Sequence, residues 1–170
     1  TLTGERETIT DARGLTQFSY DTRGRLLSRT DPDDVEISYT YDAAGNRTSV
    51  TTPSGTVNYA FDALNRLETV TDQDLGVTQY FYDVVSNLIR TENANGTVET
   101  REYDDLGRLT FLENLDSADS VINSFGYELD KTGNRTAVDE HDGRRDEYDY
   151  DERYRLIGEN IFDPGEMSPT

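Results

Sequence analysis

The chain has 170 residues, of which 33% are hydrophobic and 30% charged, and it carries a formal net charge of −19. That length suits one or two domains, but so little apolar material excludes a thick, compact core. No apolar run approaches the roughly 20 residues of a membrane span, and we expect no signal peptide because no basic and apolar segments open the chain. Because 35 acidic residues outnumber 16 basic ones, the molecule repels phosphate backbones, which excludes nucleic acid as a partner.

The two ends and the rarest residue types set further limits. The sequence begins at Thr1 rather than Met and ends at Thr170 without a closing signal, so we expect a section of a longer protein. It contains no cysteine, which excludes disulfides, thiolate catalysis and cysteine-bound zinc. The single histidine, His141, lies in an acidic stretch. A zinc site needs three or four ligands, so we expect this side chain to be solvated.

An aromatic residue followed by aspartate recurs about every 21 residues along the chain. A fixed period of this kind is typical of repeat proteins. One interval is longer, and its polar residues predict a loop insertion over residues 113–120. The repeats start near the aspartates of Tyr20-Asp21, Tyr41-Asp42, Phe61-Asp62, Tyr82-Asp83, Tyr103-Asp104, Leu129-Asp130 (where leucine replaces the aromatic residue) and Tyr150-Asp151.

Alternating apolar and polar residues predict strands that lead into these pairs. In Val35-Ile37-Tyr39-Tyr41 and Val57-Tyr59-Phe61 the apolar residues are two positions apart, and side chains two apart on an extended chain share one face. Arg101 is the exception, because it occupies the position two residues before a pair that is aromatic in the other repeats. Two turns per period give two strands per repeat. The sequence therefore predicts about seven hairpins and fourteen to sixteen strands in an all-β fold.

A turn is expected after each aspartate, because Asp bonds its own backbone two residues on and a glycine three places later adopts positive φ without strain. That slot holds Gly24, Gly45, Gly107 and Gly133, and elsewhere Asn65, Ser86 and Tyr154. The strain of a left-handed tyrosine predicts a different turn at Tyr154. A second turn in the repeats is marked by Asp31-Pro32-Asp33-Asp34, Pro53-Ser54-Gly55, Leu75-Gly76, Asn95-Gly96 and Asp142-Gly143.

Arginine and asparagine alternate strictly at the position after this slot. The residues are Arg25, Asn46, Arg66, Asn87, Arg108, Asn134 and Arg155. We interpret the alternation as a unit of two repeats, about 42 residues long. Arginine is predicted to reach the repeat aspartate of a neighbouring hairpin through a charge-assisted bond, and asparagine to bond the backbone of the intervening turn.

These motifs resemble the YD repeat. The resemblance rests on Tyr20-Asp21-Thr22-Arg23-Gly24-Arg25-Leu26, Tyr41-Asp42-Ala43-Ala44-Gly45-Asn46-Arg47 and Tyr103-Asp104-Asp105-Leu106-Gly107-Arg108-Leu109, and it extends from about Leu2 to Asn160. The chain is similar to the Rhs proteins of bacteria, the C component of insecticidal Tc toxins and the teneurins of animals. The resemblance implies a β-sheet strip that spirals into a hollow shell, which in the bacterial members encloses a C-terminal toxin.

The predicted fold is thus a single-layer antiparallel sheet of consecutive β-hairpins, forming a curved strip or spiral that is part of a hollow shell. Residues 1–160 are predicted to be the repeat array and residues 161–170 a tail. Seven hairpins are too few to close a capsule, so we expect an open strip. The bacterial shells resemble one another in a self-cleaving segment with repeated Asp-Pro steps. Here Phe162-Asp163-Pro164-Gly165 offers one step, and we expect a plain turn there.

Chemical sites are not evident in the sequence. It shows no nucleophile motif, phosphate loop or histidine cluster, so we predict no enzyme, no catalytic residues and no bound cofactor or metal. Calcium is an alternative at two acidic clusters, although solvated turn carboxylates are the simpler interpretation. Four further arginines are predicted to be local salt-bridge partners rather than a basic patch. The clusters are Asp31, Asp33 and Asp34, and Asp72 and Asp74; the arginines are Arg90, Arg101, Arg144 and Arg145.

Two functions are consistent with this sequence. The first is a non-catalytic section of a shell, whose partners are the rest of the parent chain and an enclosed effector domain. The second is an extracellular module that binds carbohydrate or a cell-surface receptor, because aromatic rings stack on sugar faces. Either function predicts a secreted, extracellular or cell-surface protein. A ladder of facing aromatic pairs across strands is expected to hold the repeats together.

Overall fold

A computed structural model describes residues 4–165, which contain fifteen β-strands and no helix. This agrees with the predicted number and type of elements. The strands are β1 (Thr8–Asp11), β2 (Gly14–Tyr20), β3 (Leu26–Thr30), β4 (Glu36–Tyr41), β5 (Arg47–Thr52), β6 (Gly55–Phe61), β7 (Leu67–Thr71), β8 (Val77–Tyr82), β9 (Leu88–Glu92), β10 (Val98–Tyr103), β11 (Leu109–Leu115), β12 (Val121–Leu129), β13 (Arg135–Glu140), β14 (Arg145–Tyr150) and β15 (Leu156–Phe162).

The chain forms two compact units, which divide between Gln79 and Tyr80 inside β8. In the first unit each strand from β1 to β7 pairs antiparallel with the next strand, and the first half of β8 pairs with β7. In the second unit the same holds from β9 to β15. The prediction of consecutive antiparallel hairpins is confirmed.

The strands alternate between a more covered face and a more exposed one. In β6, Val57, Tyr59 and Phe61 are half-buried, whereas Asn58 and Ala60 are exposed. Burial is shallow throughout the described residues: the buried apolar side chains are Val98, Ala137 and Val138, and no large side chain there is fully buried. Within each unit the described strands contact only the strands next to them in the chain. Each unit is therefore a single layer, in which neighbouring hairpins supply the packing.

A β-bulge precedes six of the repeat aspartates. The extra residue bends the strand and increases its local twist. The register shifts lie between Ser19/Tyr20, Thr40/Tyr41, Ala60/Phe61, Glu102/Tyr103, Glu128/Leu129 and Asp149/Tyr150.

Two predicted segment boundaries differ from the structure. The insertion at 113–120 is not a long loop, because β11 continues to Leu115 and β12 begins at Val121. The additional residues lengthen the two strands, and Asp116 closes the same turn as in the other repeats, with its backbone N–H 2.9 Å from the Ser120 carbonyl. The predicted tail 161–170 is also wrong at its start, because β15 extends through Phe162. The rest of that tail beyond residue 165, and Leu2 at the start of the array, lie outside the described residues.

Across residues 4–165, no helix is long and apolar enough to cross a membrane.

Candidate functional site

The seven repeat aspartates each build a five-residue turn, called here an Asp turn. At Asp104 the backbone N–H donates to the Arg108 carbonyl, and the Gly107 N–H donates back to the Asp104 carbonyl. The carboxylate then completes the turn: its Oδ1 accepts from the N–H groups of Leu106 and Arg108, both at 3.0 Å, and its Oδ2 accepts from Arg108 Nε at 2.6 Å. The same backbone pattern begins at Asp21, Asp42, Asp62, Asp83, Asp104, Asp130 and Asp151.

These contacts lower the pKa of the repeat carboxyl groups. For Asp104 the largest cause is the hydrogen bond from the Arg108 backbone N–H, followed by the bond from the Arg108 side chain, while partial burial acts in the opposite direction to raise the pKa. For Asp130 the Thr132 hydroxyl and the Asn134 amide lower the pKa most strongly. Donors that prefer the ionised carboxylate therefore keep it charged.

The left-handed slot of the Asp turn is occupied as predicted, with one exception. Gly24, Gly45, Gly107 and Gly133 have φ values of 77, 107, 74 and 95°. Asn65 and Ser86 also have positive φ, at 60 and 74°. The different turn predicted at Tyr154 is wrong, because Tyr154 has φ 61° and its N–H donates to the Asp151 carbonyl at 2.9 Å. The hydrogen bonds of the turn outweigh a strain of about 1 kcal/mol.

Turns of the same kind close the opposite ends of several hairpins. Asp72 accepts from the N–H groups of Asp74 and Gly76 at 2.9 and 2.8 Å. Here the positive φ falls on Leu75, at 67°, and not on the glycine that follows it. Likewise Asp34 has φ 62° in the turn that begins at Asp31.

The alternating Arg and Asn side chains bind their own turn first. Arg25 Nε donates to Asp21 Oδ2 at 2.6 Å, and Asn46 Nδ2 donates to Asp42 Oδ2 at 2.9 Å. The predicted arginine contact with a carboxylate of the neighbouring hairpin is therefore wrong. Instead, Arg25 Nη1 donates to the backbone carbonyl of Asp42 at 3.0 Å. A guanidinium has donors left after it has bound its own carboxylate, and an asparagine has fewer.

This contact from an arginine to the next turn, called here the arginine bridge, recurs in the second unit. Arg108 Nη1 donates to the Asp130 carbonyl at 2.8 Å. Asn134, in contrast, keeps its side-chain donors within its own turn, on Asp130 and Thr132. Asn46 reaches only another neutral side chain, Asn65 Oδ1, at 2.9 Å. At these positions arginine reaches the backbone of the next turn and asparagine does not. The prediction that asparagine bonds the backbone of the turn is therefore wrong for the side chains of Asn46 and Asn134.

A second contact, which the sequence does not predict, uses the tyrosine of several repeat pairs. The Tyr41 hydroxyl donates to the Leu26 carbonyl at 2.9 Å, and Leu26 is the first residue of the preceding strand β3. We call this contact the tyrosine staple. It recurs from Tyr20 to Arg6 at 3.0 Å, and from Tyr103 to Leu88 and Tyr150 to Arg135 at 2.9 Å each.

The staple lies where the backbone ladder between hairpins has ended. Strands β3 and β4 pair only from Thr30↔Glu36 to Ser28↔Ser38. Leu26 and Tyr41 lie beyond the last pair, at the ends of the two strands nearest the Asp turns. A buried or half-buried carbonyl needs a donor, and the tyrosine hydroxyl supplies one there.

Ring contacts differ from the cross-strand aromatic pairs that the sequence predicts. The stacked pair Phe125 and Tyr127, with ring centroids 6.5 Å apart, lies within one strand. Arginine groups cover other rings: Arg25 lies 4.6 Å from the ring centroid of Tyr41, and Arg135 lies 4.2 Å from that of Tyr127. Cation–π contacts thus add to the staples on the aromatic face.

The four arginines considered as a basic patch are salt-bridge partners, as predicted. Arg90 pairs with Glu92 at 2.8 Å, Arg101 with Glu99, and Arg144 with Asp146 at 3.0 Å. Arg145 contacts three carboxylates at 2.9 Å, those of Glu128, Asp139 and Glu147, and together they raise its pKa.

The acidic clusters considered for calcium are used inside their turns. Asp31 accepts from Arg29 Nε and Nη2 at 3.0 and 2.6 Å. Between residues 4 and 165, no three histidine or acidic side chains are placed to hold a metal ion. Calcium stays an alternative to the predicted solvated turn carboxylates.

Comparison with known proteins agrees with this repeat geometry. Residues 3–36, 20–57 and 41–78 match the family model described as RHS Repeat. Residues 3–78 of this chain are therefore similar to RHS repeats. No curated protein matches it.

Solved structures of TcdB2–TccC3 assemblies share the fold of this chain. The structure of TcdB2–TccC3–Cdc42 superposes with a TM-score of 0.76 at 20% identity over 92% of this chain and 10% of its own. TcdB2–TccC3–TEV gives 0.74 at 20% identity over 91% and 9%. TcdB2–TccC3 without its hypervariable C-terminal region gives 0.76 at 19% over 92% and 9%. The chain spans about a tenth of the length of these structures.

Proposed function

We propose that this chain is a non-catalytic wall segment of a larger secreted or delivered protein, part of a β-shell that encloses a C-terminal toxin or effector. The observation that carries the proposal is the superposition of 92% of the chain on TcdB2–TccC3 with a TM-score of 0.76. Uninterrupted hairpins without a second layer suit a wall, because each hairpin is stabilised by its neighbours along the array.

The use of the polar groups supports a structural role. The repeat carboxylates bind the backbone of their own turns, and the hydroxyls of Tyr20, Tyr41, Tyr103 and Tyr150 donate to backbone carbonyls. Groups engaged in this way hold the sheet together and leave little for chemistry on a substrate. The alternative, a carbohydrate- or receptor-binding module, needs polar groups beside exposed rings, and these hydroxyls are already bonded.

The proposed cargo follows from the relatives. One solved structure is of TcdB2–TccC3 without a hypervariable C-terminal region, so that region is a separable part of the relative. We extend this arrangement to the parent of this chain: its partners are the remainder of the shell and the enclosed effector, and the assembled protein acts outside the cell that makes it.

A chimera tests the wall function. The stretch of TcdB2–TccC3 that superposes on this chain is replaced by residues 4–165, and the hypervariable C-terminal region is kept. We expect the chimera to protect that region from protease as well as the parent does. A matched control carries Asp62→Ala and Asp104→Ala, which remove two turn-forming carboxylates and are expected to expose the region.

The opposite result is a chimera that has the size and circular dichroism of the parent but whose C-terminal region is digested at once. That result would contradict enclosure by these repeats. A glycan array probed with the isolated chain examines the alternative directly, because binding to a defined sugar with a saturable isotherm would favour recognition over a wall.

A further inference from the structure

Successive hairpins lie side by side, and the place where their Asp-turn ends meet is called here a joint. The backbone hydrogen bonds between the hairpins stop before the joint. Two side-chain contacts connect the hairpins there, the tyrosine staple and the arginine bridge. The first unit contains two joints between complete Asp turns. One joins the turns of Asp21 and Asp42, and the other joins the turns of Asp42 and Asp62.

The Asp21–Asp42 joint has both contacts. Tyr41 staples Leu26 at 2.9 Å, and Arg25 bridges to the Asp42 carbonyl at 3.0 Å. Arg23 adds a third bond, from its Nη1 to the Ala43 carbonyl at 2.8 Å. Bonds with a charged donor are roughly twice as strong as neutral ones.

The Asp42–Asp62 joint has neither contact. Phe61 occupies the staple position and has no hydroxyl, and Asn46 occupies the bridge position. Two weaker contacts are present. One is the exposed hydrogen bond from Asn46 Nδ2 to Asn65 Oδ1 at 2.9 Å, and the other is the guanidinium of Arg47, 5.2 Å from the Tyr59 ring centroid. Water competes for an exposed neutral hydrogen bond, so its net contribution is small.

The opposite end of the same two strands is firmly closed. Strands β5 and β6 pair from Ser49↔Asn58 to Thr52↔Gly55, where a tight turn joins them. The Thr51 and Thr56 hydroxyls share a hydrogen bond of 2.9 Å across the pair. Any opening is therefore confined to the Asp-turn end.

Each joint of the second unit keeps one of the two contacts. Tyr103 staples the joint between the Asp83 and Asp104 turns, Arg108 bridges the joint between the Asp104 and Asp130 turns, and Tyr150 staples the next. Among these joints within the two units, the Asp42–Asp62 joint is the one without either contact.

We propose that the Asp42–Asp62 joint is a built-in compliant point, at which the Asp-turn ends of two hairpins separate while the rest of the array stays paired. Local stability in a repeat array follows the nearest-neighbour contacts. A joint without a staple or a bridge opens first, and it opens from the turn edge towards the tight turn at Thr52–Gly55. In a wall of such hairpins, this is where the sheet yields to strain without losing strand order.

Dipolar electron paramagnetic resonance between spin labels tests the proposal, and the absence of cysteine allows each label to be placed uniquely. One double variant, Thr22→Cys with Ala43→Cys, reports on the Asp21–Asp42 joint. The other, Ala43→Cys with Ala63→Cys, reports on the Asp42–Asp62 joint. All three positions are exposed turn residues. We expect a broader distance distribution for the Ala43/Ala63 pair.

Two substitutions are designed to restore the missing contacts. Phe61→Tyr adds a staple towards the Arg47 carbonyl, and Asn46→Arg adds a bridge towards the Asp62 carbonyl. Together they are expected to narrow the Ala43/Ala63 distribution to the width of the Thr22/Ala43 pair, and Phe61→Tyr alone to raise Tm by about 2–4 °C. Phe81→Tyr, at an exposed strand position, is the matched control. It should leave the Ala43/Ala63 distance distribution and Tm unchanged. Equal widths in the two pairs, or no narrowing in the restored variant, would overturn the proposal.

Discussion

At the residue scale, the tyrosine hydroxyl supplies a hydrogen bond at the strand ends, where the backbone hydrogen bonds between hairpins have stopped. Removing it leaves the partner carbonyl without that donor, and the cost of such a loss is about 1 kcal/mol. We therefore expect Tyr103→Phe to lower the free energy of unfolding by about 1 kcal/mol, measured by urea denaturation with circular dichroism.

The control for this prediction is Tyr39→Phe. Tyr39 lies on the same face as Tyr41, two residues earlier in β4, and in the described residues its hydroxyl makes no hydrogen bond. That variant should unfold at the same urea concentration as the parent protein. Equal losses in both variants would show that the ring environment, and not the staple, accounts for the effect.

The repeat carboxylates predict a defined acid dependence. Hydrogen bonds lower the pKa of Asp104 in the folded state, below about 3.9 for an unfolded aspartate. Its stabilisation is therefore complete above the unfolded pKa and is lost as the pH falls through the folded one. Asp104→Asn should lower Tm clearly at pH 7, and the difference from the parent should shrink as the pH falls from about 5 towards 2.

Asp105→Asn is the adjacent control. The Asp105 carboxylate is exposed and accepts no hydrogen bond in the described residues, so its substitution should change Tm little at any pH. If the Asp104→Asn difference in Tm stays constant down to pH 2, the charge of the turn carboxylate does not stabilise the turn.

Residue patterns predicted the turns better than the contacts between them. The aspartate and the glycine three places later identify an Asp turn because both act within five residues of chain. The tyrosine staple joins residues fifteen apart, such as Tyr103 and Leu88, and depends on a bulge and on a ladder that stops short. Neither is visible in a single sequence. The wrong prediction for arginine has the same cause. The carboxylate of its own turn lies closer to the guanidinium than the carboxylate of the neighbouring hairpin does.

At the scale of elements, the Asp turn imposes its backbone conformation on unsuitable residues. Tyr154 has φ 61°, which strains its backbone, and its side chain is 61% exposed, so a substitution removes few contacts. Tyr154→Gly should therefore raise the free energy of unfolding by about 1 kcal/mol.

Arg153→Gly in the same turn is the control. Arg153 does not have positive φ, so glycine there should lower the free energy of unfolding by up to about 1 kcal/mol. Thermal unfolding of both variants checks this; a loss for Tyr154→Gly would mean that the tyrosine side chain contributes more than its exposure indicates.

Strand number and pairing order were predictable at this scale, but strand length was not. The alternating pattern around Tyr39 and Tyr59 indicates one covered face, and a period with two turns indicates a hairpin. The insertion at 113–120 reads as a loop because it is polar. In the structure Asn114 bonds Asn123 across β11 and β12 at 2.8 Å, which lets polar residues extend the strands. Cross-strand pairing of amides is a long-range property that local composition does not report.

At the scale of the whole molecule, charge opposes the compact state. Even if each of the 16 basic residues pairs with one carboxylate, the remaining acidic groups account for the net charge of −19. Like charges on a single-layer array repel over a Debye length, about 30 Å at 0.01 M salt and about 8 Å at 0.15 M. Salt also weakens the exposed ion pairs, but these contribute little individually. Repulsion should therefore dominate the dependence of stability on salt.

We expect Tm to rise between 0.01 and 0.15 M NaCl, with a rise of roughly 2–4 °C for each 1 kcal/mol of repulsion that is screened. Asp105→Lys with Glu152→Lys reverses two exposed charges and should flatten this dependence, while Thr22→Ala with Ala63→Ser, which keeps the charge, should leave it unchanged. Differential scanning calorimetry at the two salt concentrations measures the effect. A fall in Tm with salt would show that the ion pairs together outweigh the repulsion between the excess carboxylates.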